Sequence, residues 1–304
     1  MRTSLLTGLI LLSALGCGGD PSADVSADDP ALSVRVSAQK AMMDGPNVYS
    51  PELVKAPTGL RMYFGGWRDA GQRHDNIYVS DCPDVERACG NVRKVLDSQA
   101  LGFEHLNDPS IVIHPGGYYI MYMTAVRAGD NALVAANNHV YYATSWITDG
   151  VTWSAPALLV SRHWLPSATI KGEAVELYAN DNAVHGGVVR FELGRSGVQV
   201  GAPTKVTPPN GTLYANVHAL WRPSLDSYQI LAERQTATAS SVIDALSSTD
   251  GLAWNLIHDS LVTPAAGEFR VGTPAPHPDT NARIYFATTK SRSSTGFAIR
   301  TLSY

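Results

Sequence analysis

Apolar residues along the chain fall into short runs broken by clusters of Gly, Pro, Asn, Asp and Ser, which is the pattern of β-strands and tight turns. Ser110 to Ile113, the turn His114-Pro115-Gly116-Gly117 and Tyr118 to Met123 read as strand, turn and strand. His139 to Ser145 and Ala157 to Val160 add two more strands, making a set of four. A short polar segment opens this set and recurs along the chain. The copies are Tyr49-Ser50-Pro51-Glu52, Asn107-Asp108-Pro109-Ser110, Trp164-Leu165-Pro166-Ser167, Ala215-Asn216-Val217-His218 and Gly272-Thr273-Pro274-Ala275. With Pro51, Pro109, Pro166, Val217 and Pro274 taken as equivalent, the steps are 58, 57, 51 and 57 residues. One step of this length with four strands is one propeller blade. The predicted fold is all-β, a five-bladed β-propeller of four-stranded blades.

The fifth repeat ends early, because Phe297 to Tyr304 supplies only its third strand. The alternating segment Leu32 to Ala38 is therefore expected to supply the fourth and close the ring from the N-terminal side. Two later segments also echo each other: Thr148-Asp149-Gly150 leads to Trp153, and Thr249-Asp250-Gly251 leads to Trp254. The Asp-Gly pairs favour turns with positive φ, and the regularly spaced tryptophans read as packing pegs.

With 44% hydrophobic and 16% charged residues, the 304-residue chain has the composition of a well-buried domain with polar loops. A net charge of -4 gives no basic face for nucleic acid. Arg2, the apolar run Leu5 to Leu15 and the small-residue region ending at Cys17 read as a targeting segment, too short to span a bilayer. The stretch Ala14-Leu15-Gly16-Cys17 resembles a bacterial lipoprotein signal, which implies lipid on Cys17; ordinary signal cleavage is the alternative. The expected organisation is a signal over 1–17, a flexible tether over 18–30 and the propeller over 31–304. An exported monomer follows, touching membrane only through its lipid. Cys82 and Cys89 then read as a local disulfide, against the alternatives of free thiols or half a metal site.

A propeller converges the starts of its inner strands on one channel, so candidate chemistry is sought there. Asn107-Asp108-Pro109-Ser110, followed by Ile-Val-Ile and Gly116-Gly117-Tyr118, resembles the Asp-Pro-Ser motif of five-bladed propeller glycosidases of the arabinanase/xylosidase and invertase/levansucrase type. Tyr49 to Val54, leading to Tyr63 and Trp67, resembles a second blade of those families. The resemblance implies two Asp and one Glu on inner strands, acting as nucleophile or base, transition-state stabiliser or pKa modulator, and general acid. Asp108 is the position that matches, and Glu52 is a second-rank candidate. Glu233 and Glu268 are alternative acids from loops, or else partners of Arg234 and Arg270. Trp67, Arg68, His105, Asn107, Asp181, Asn216, His218 and Arg234 complete the expected carbohydrate-binding set. Glu173 reads as a surface turn. No metal site or cofactor motif is present, and a structural Ca2+ in the channel is the one ion this reading leaves open. The expected function is binding, with or without hydrolysis, of a glycan; a non-catalytic glycan-binding or interaction module is the alternative.

Overall fold

A computed structural model describes residues 37–68, 74–84, 87–181, 187–238, 240–280, 282–290 and 296–304. Strand β1 (Lys40–Met43) comes first. Blade 1 holds β2 (Asn47–Ala56), β3 (Gly59–Trp67), β4 (Asn76–Cys82) and β5 (Gly90–Leu96). Blade 2 holds β6 (Phe103–His114), β7 (Tyr118–Arg127), β8 (His139–Trp146) and β9 (Ala157–Val160). Blade 3 holds β10 (His163–Lys171), β11 (Ala174–Asp181), β12 (Val188–Glu192) and β13 (Thr204–Lys205). Blade 4 holds β14 (Val217–Arg222), β15 (Ser227–Gln235), β16 (Ser241–Ser248) and β17 (Asn255–Val262). Blade 5 is built from β18 (Arg270–Pro276), β19 (Arg283–Thr289), β20 (Phe297–Ser303) and β1. The five-bladed, all-β ring read from the repeat is the observed architecture.

The closing strand differs from the expected one. Lys40 to Met43 pairs with Ile299 to Thr301, whereas residues 31–36 lie outside the described set. Burial accounts for the shift: Met42 and Met43 are buried with Val48, Tyr285 and Ile299, and a consecutive apolar pair carries no alternation to read. Ser37 continues the closure, its N–H donating to the Ser303 carbonyl at 2.8 Å.

The core lies between blades. Tyr63, Ile77 and Val79 of blade 1 pack against Tyr119, Met121 and Met123 of blade 2, and comparable clusters join blades 2 and 3, 3 and 4, and 5 and 1. The two Asp-Gly turns fasten this stack. Asp149 caps the amides of Val151 and Thr152, both at 3.1 Å, and Gly150 takes φ 64°. The turn then offers its Gly150 carbonyl to Tyr63 (2.8 Å) and its Asp149 carbonyl to Arg61 (2.5 Å) on the preceding blade. Gly251 and Asp250 repeat the arrangement with Tyr178 (3.1 Å) and Arg190 (2.6 Å). Trp153 sits edge-on to Tyr63, and Trp254 packs on Tyr178 and Tyr214, so both tryptophans are packing pegs as expected.

Candidate functional site

Proline shapes the channel. Lacking an N–H, it cannot take its place in the ladder with the second strand, and a bulge is the usual accommodation. The pairing of β2 with β3, β6 with β7, β10 with β11 and β18 with β19 shifts register across Pro51, Pro109, Pro166 and Pro274. The residue before each proline takes positive φ: Ser50 (50°), Asp108 (50°), Leu165 (53°) and Thr273 (44°). Blade 4 is the control. Val217 replaces proline there, β14 pairs evenly with β15, and Asn216 has no positive φ. Non-glycine residues in this conformation cost about 1–3 kcal/mol each. Four of them face one channel.

Two tiers of side chains result. The upper tier is Ser50, Asp108, Leu165, Asn216 and Thr273, which all line the channel neck. Ser50 Oγ donates to Asp108 Oδ1 at 2.5 Å, and the Ser50 N–H donates to Thr273 Oγ1 at 3.1 Å. Two residues further along their strands stand Glu52 and His218, which line both the neck and the cavity beyond it. Ser110 and Ser167 accept the N–H groups of Ala168 and Ala219, both at 2.9 Å, and so tie neighbouring inner strands together.

Glu52 and His218, from blades 1 and 4, meet across the channel at 3.4 Å. Burial pushes the Glu52 carboxyl well above the ordinary carboxylate range. Burial, helped by Arg222, pulls the His218 ring down to about 3. The contact joins two blades that are not neighbours in the ring and so spans the channel. On its far side a cavity of about 360 Å³ opens, lined by Glu52, His218, Trp221 and Pro276 among others. Among the described residues no group of three or more His, Cys, Asp or Glu is arranged to hold a metal ion.

Above the upper tier lies a mouth cavity of about 450 Å³. Of the candidate residues, Trp67, His105, Asn107, Asp108, Asn216 and Glu233 line it. Burial pushes the Asp108 carboxyl up to about 6; the Ser50 and Thr124 hydroxyls oppose the rise, and the charges of Asp75 and Glu233 add to it. Glu233, near the end of β15, is held as an acceptor by the Asn216 side-chain amide and by the Thr273 N–H at 3.3 Å. Gly272 makes room for it, since a Cβ there would stand 2.4 Å from Glu233 Oε2. Asp75 Oδ2 accepts from the Tyr49 hydroxyl at 2.6 Å and lies 2.9 Å from His105 Nδ1. Burial disfavours the charged His105 ring, but Asp75 outweighs burial and the ring's pKa is raised.

The other expected site residues stand apart from this cavity. Glu52 and His218 belong to the tier below. Arg68 is exposed just beyond β3, and Asp181 ends β11 opposite His163. Glu268 accepts from the Ala265 N–H at 3.0 Å within its own turn. Arg234 bonds Asp244 at 2.7 Å and also Asp259, so it is not the partner of Glu233; consecutive strand residues face opposite ways. Glu173 is exposed and paired with Arg195, the surface turn that was expected. The disulfide Cys82–Cys89 is formed, and Cys17 lies outside the described residues.

Sequence reasoning placed Asp75 in a loop on the channel face without a role and passed over Tyr49, Trp164, Arg270 and Phe297; all five line the mouth. Tyr49 and Trp164 occupy one repeat position, immediately before the strained residue. Aligning that position across blades would have found both.

The fold matches solved structures over most of the chain. The chain has the five-bladed propeller fold of the arabinanase and arabinofuranosidase hydrolases. The catalytic domain of the Coprinopsis cinerea family-62 α-L-arabinofuranosidase superposes with a TM-score of 0.63 at 14% identity, covering 87% of this chain and 96% of that one. The Bacillus subtilis arabinanase gives 0.60 at 12%, covering 86% and 95%. An N-acetylgalactosamine deacetylase from F. plautii, solved with the blood group B trisaccharide, gives 0.62 at 13%, covering 88% and 92%. No protein-family model matches the sequence, and no curated protein does.

Proposed function

We propose that the protein binds a glycan in the mouth cavity and holds it without cleaving it. The observation that carries this reading is the composition of that cavity. Trp67 and Trp164 offer flat faces for the apolar side of a sugar ring, while Asn107, Asn216, His105, Arg270, Asp108 and Glu233 offer donors and acceptors for its hydroxyls. A cavity of about 450 Å³ suits a ligand of one or a few rings. The trisaccharide complex of the F. plautii enzyme supports carbohydrate as the ligand class. Against cleavage stand the repeat positions equivalent to Asp108, which hold Ser50, Leu165, Asn216 and Thr273. An exported protein fits the Cys82–Cys89 disulfide and the lipoprotein-like signal ending at Cys17.

One observation favours a second reading, hydrolysis. Asp108 and Glu233 line the same cavity, Asp108 with its carboxyl pushed up to about 6 by burial and Glu233 held in place by the Asn216 amide and the Thr273 N–H. Two carboxyls on one cavity, one of them tuned to hold a proton near pH 6, suit general acid and base roles. Calorimetry with a panel of oligosaccharides, alongside release assays on aryl glycosides and oligosaccharides, separates the readings. Binding without turnover, weakened by Trp164→Ala, is the expected result. Turnover abolished by Asp108→Asn would establish hydrolysis instead, and absence of both would sink the proposal.

A further inference from the structure

We infer that the outer part of blade 2 carries a second saccharide-binding cleft, separate from the channel mouth. Its cause is a mismatch between neighbours. Strands β7 and β8 run long, with ten and eight residues, whereas the outermost strand of blade 3, β13, has two. The face of blade 2 that looks toward blade 3 is consequently covered near the axis, where Ile120 and Tyr122 pack on Val175 and Phe191, and left open further out. A cavity of about 770 Å³ results, within the range of about 300–1,000 Å³ usual for small-molecule sites.

The lining is chemically specific. Three rungs of one ladder, Tyr118 opposite Trp146, Ile120 opposite Thr144 and Tyr122 opposite Tyr142, present their side chains to the same face. Trp146 is 69% exposed, in contrast to the buried or half-buried pegs Trp254 and Trp153. Among the described residues its indole has no aromatic partner and its Nε1 no acceptor, and the hydroxyls of Tyr118 and Tyr142 have no hydrogen-bond partner. Around these rings stand the hydroxyl residues Thr144, Thr152, Ser154 and Ser196. The one charged lining residue, Asp149, already has its carboxylate on the Val151 and Thr152 amides. Aromatic faces ringed by uncharged hydroxyls match a neutral oligosaccharide, whose C–H faces stack and whose hydroxyls exchange hydrogen bonds. An anionic ligand would find no counter-ion among these lining residues.

The cleft stands on its own residues, so its test can fail separately from that of the mouth. Isothermal titration of wild type, Trp146→Ala, Trp164→Ala and the double variant with xylotriose, cellotriose, arabinotriose and maltotriose reads both sites. Trp146 is exposed, so its removal leaves the fold intact; thermal melting checks this. The expected result is residual binding in Trp164→Ala that weakens about ten-fold or more in the double variant, the loss of about 1.4 kcal/mol for one stacked ring. Binding unchanged by Trp146→Ala, or absent from Trp164→Ala altogether, overturns the second cleft while leaving the mouth. Binding lost in Trp146→Ala alone keeps the cleft and removes the mouth. Absence of binding in every variant overturns both. Self-association of wild type that Trp146→Ala abolishes, seen by sedimentation, would assign the surface to a second copy and overturn the saccharide reading.

Discussion

The Ser50 hydroxyl reaches from blade 1 to the carboxyl of Asp108 on blade 2, 2.5 Å away. It stabilises the ionised form of a group that burial otherwise drives toward protonation. Ser50→Ala is therefore expected to raise the Asp108 midpoint further above 6. Carboxyl chemical shifts followed through a pH titration measure it, and an unmoved midpoint would remove Ser50 from the account.

Asp108 makes stability depend on pH in a defined sense. Its folded pKa, about 6, exceeds the ordinary carboxylate value of 3.8, so the native state holds a proton that the unfolded state has released between those values. Stability is full below about 3.8 and falls as pH rises through 6. Asp108→Asn should abolish that fall and add up to about 3 kcal/mol at pH 7, the size of a shift of about two pKa units. Urea melts of both proteins at pH 4 and pH 7 test this; equal differences at the two pH values would contradict it.

Glu52 acts with the same sign, one tier down. Its raised pKa means that the wild type loses stability as pH rises above the ordinary carboxylate range. Glu52→Gln keeps the shape and removes the ionisable group. The Tm of the variant is expected to exceed that of wild type by about 2–4 °C at pH 8, which corresponds to about 1 kcal/mol in a domain of this size. At pH 4 the two should melt together.

The ring closure rests on Met42, fully buried between blades 5 and 1. Met42→Ala should cost about 2–5 kcal/mol, as for other large-to-small core changes. Chemical denaturation that leaves the midpoint unchanged would show that β1 does not hold the ring.

Reduction of Cys82–Cys89 frees a short loop with a sequence separation of 7. Chain entropy alone puts the loss near 2.5 kcal/mol. The effect should reach beyond the loop, because the Cys89 N–H donates to the Met42 carbonyl at 3.1 Å and so supports the closing strand. Hydrogen exchange of the β1 and β20 amides should accelerate in a Cys82→Ala/Cys89→Ala variant, and unchanged protection there would limit the disulfide to its own loop.

Blade number and inner-strand starts were legible in sequence because one proline recurs at a nearly constant step, and proline leaves both a symbol in the chain and a bulge in the sheet. Asp108 was legible for the same reason. The grouping of Tyr49, Asp75 and His105 was not, since three elements of blades 1 and 2 bring these side chains to one oxygen and no local pattern records a convergence of that kind. Glu52 shows a further limit. Its place one residue beyond the proline made it a second-rank channel candidate, but depth along the channel depends on which side of the bulge a side chain falls. The closing strand was placed some residues early because buried Met42 and Met43 lie side by side, where alternation has nothing to signal.

The contact between Glu52 and His218 turns a ring with a hole into a cup. Under the proposed reading a glycan would enter and leave by the mouth, which fits a chain end or a short side branch better than a threaded polymer.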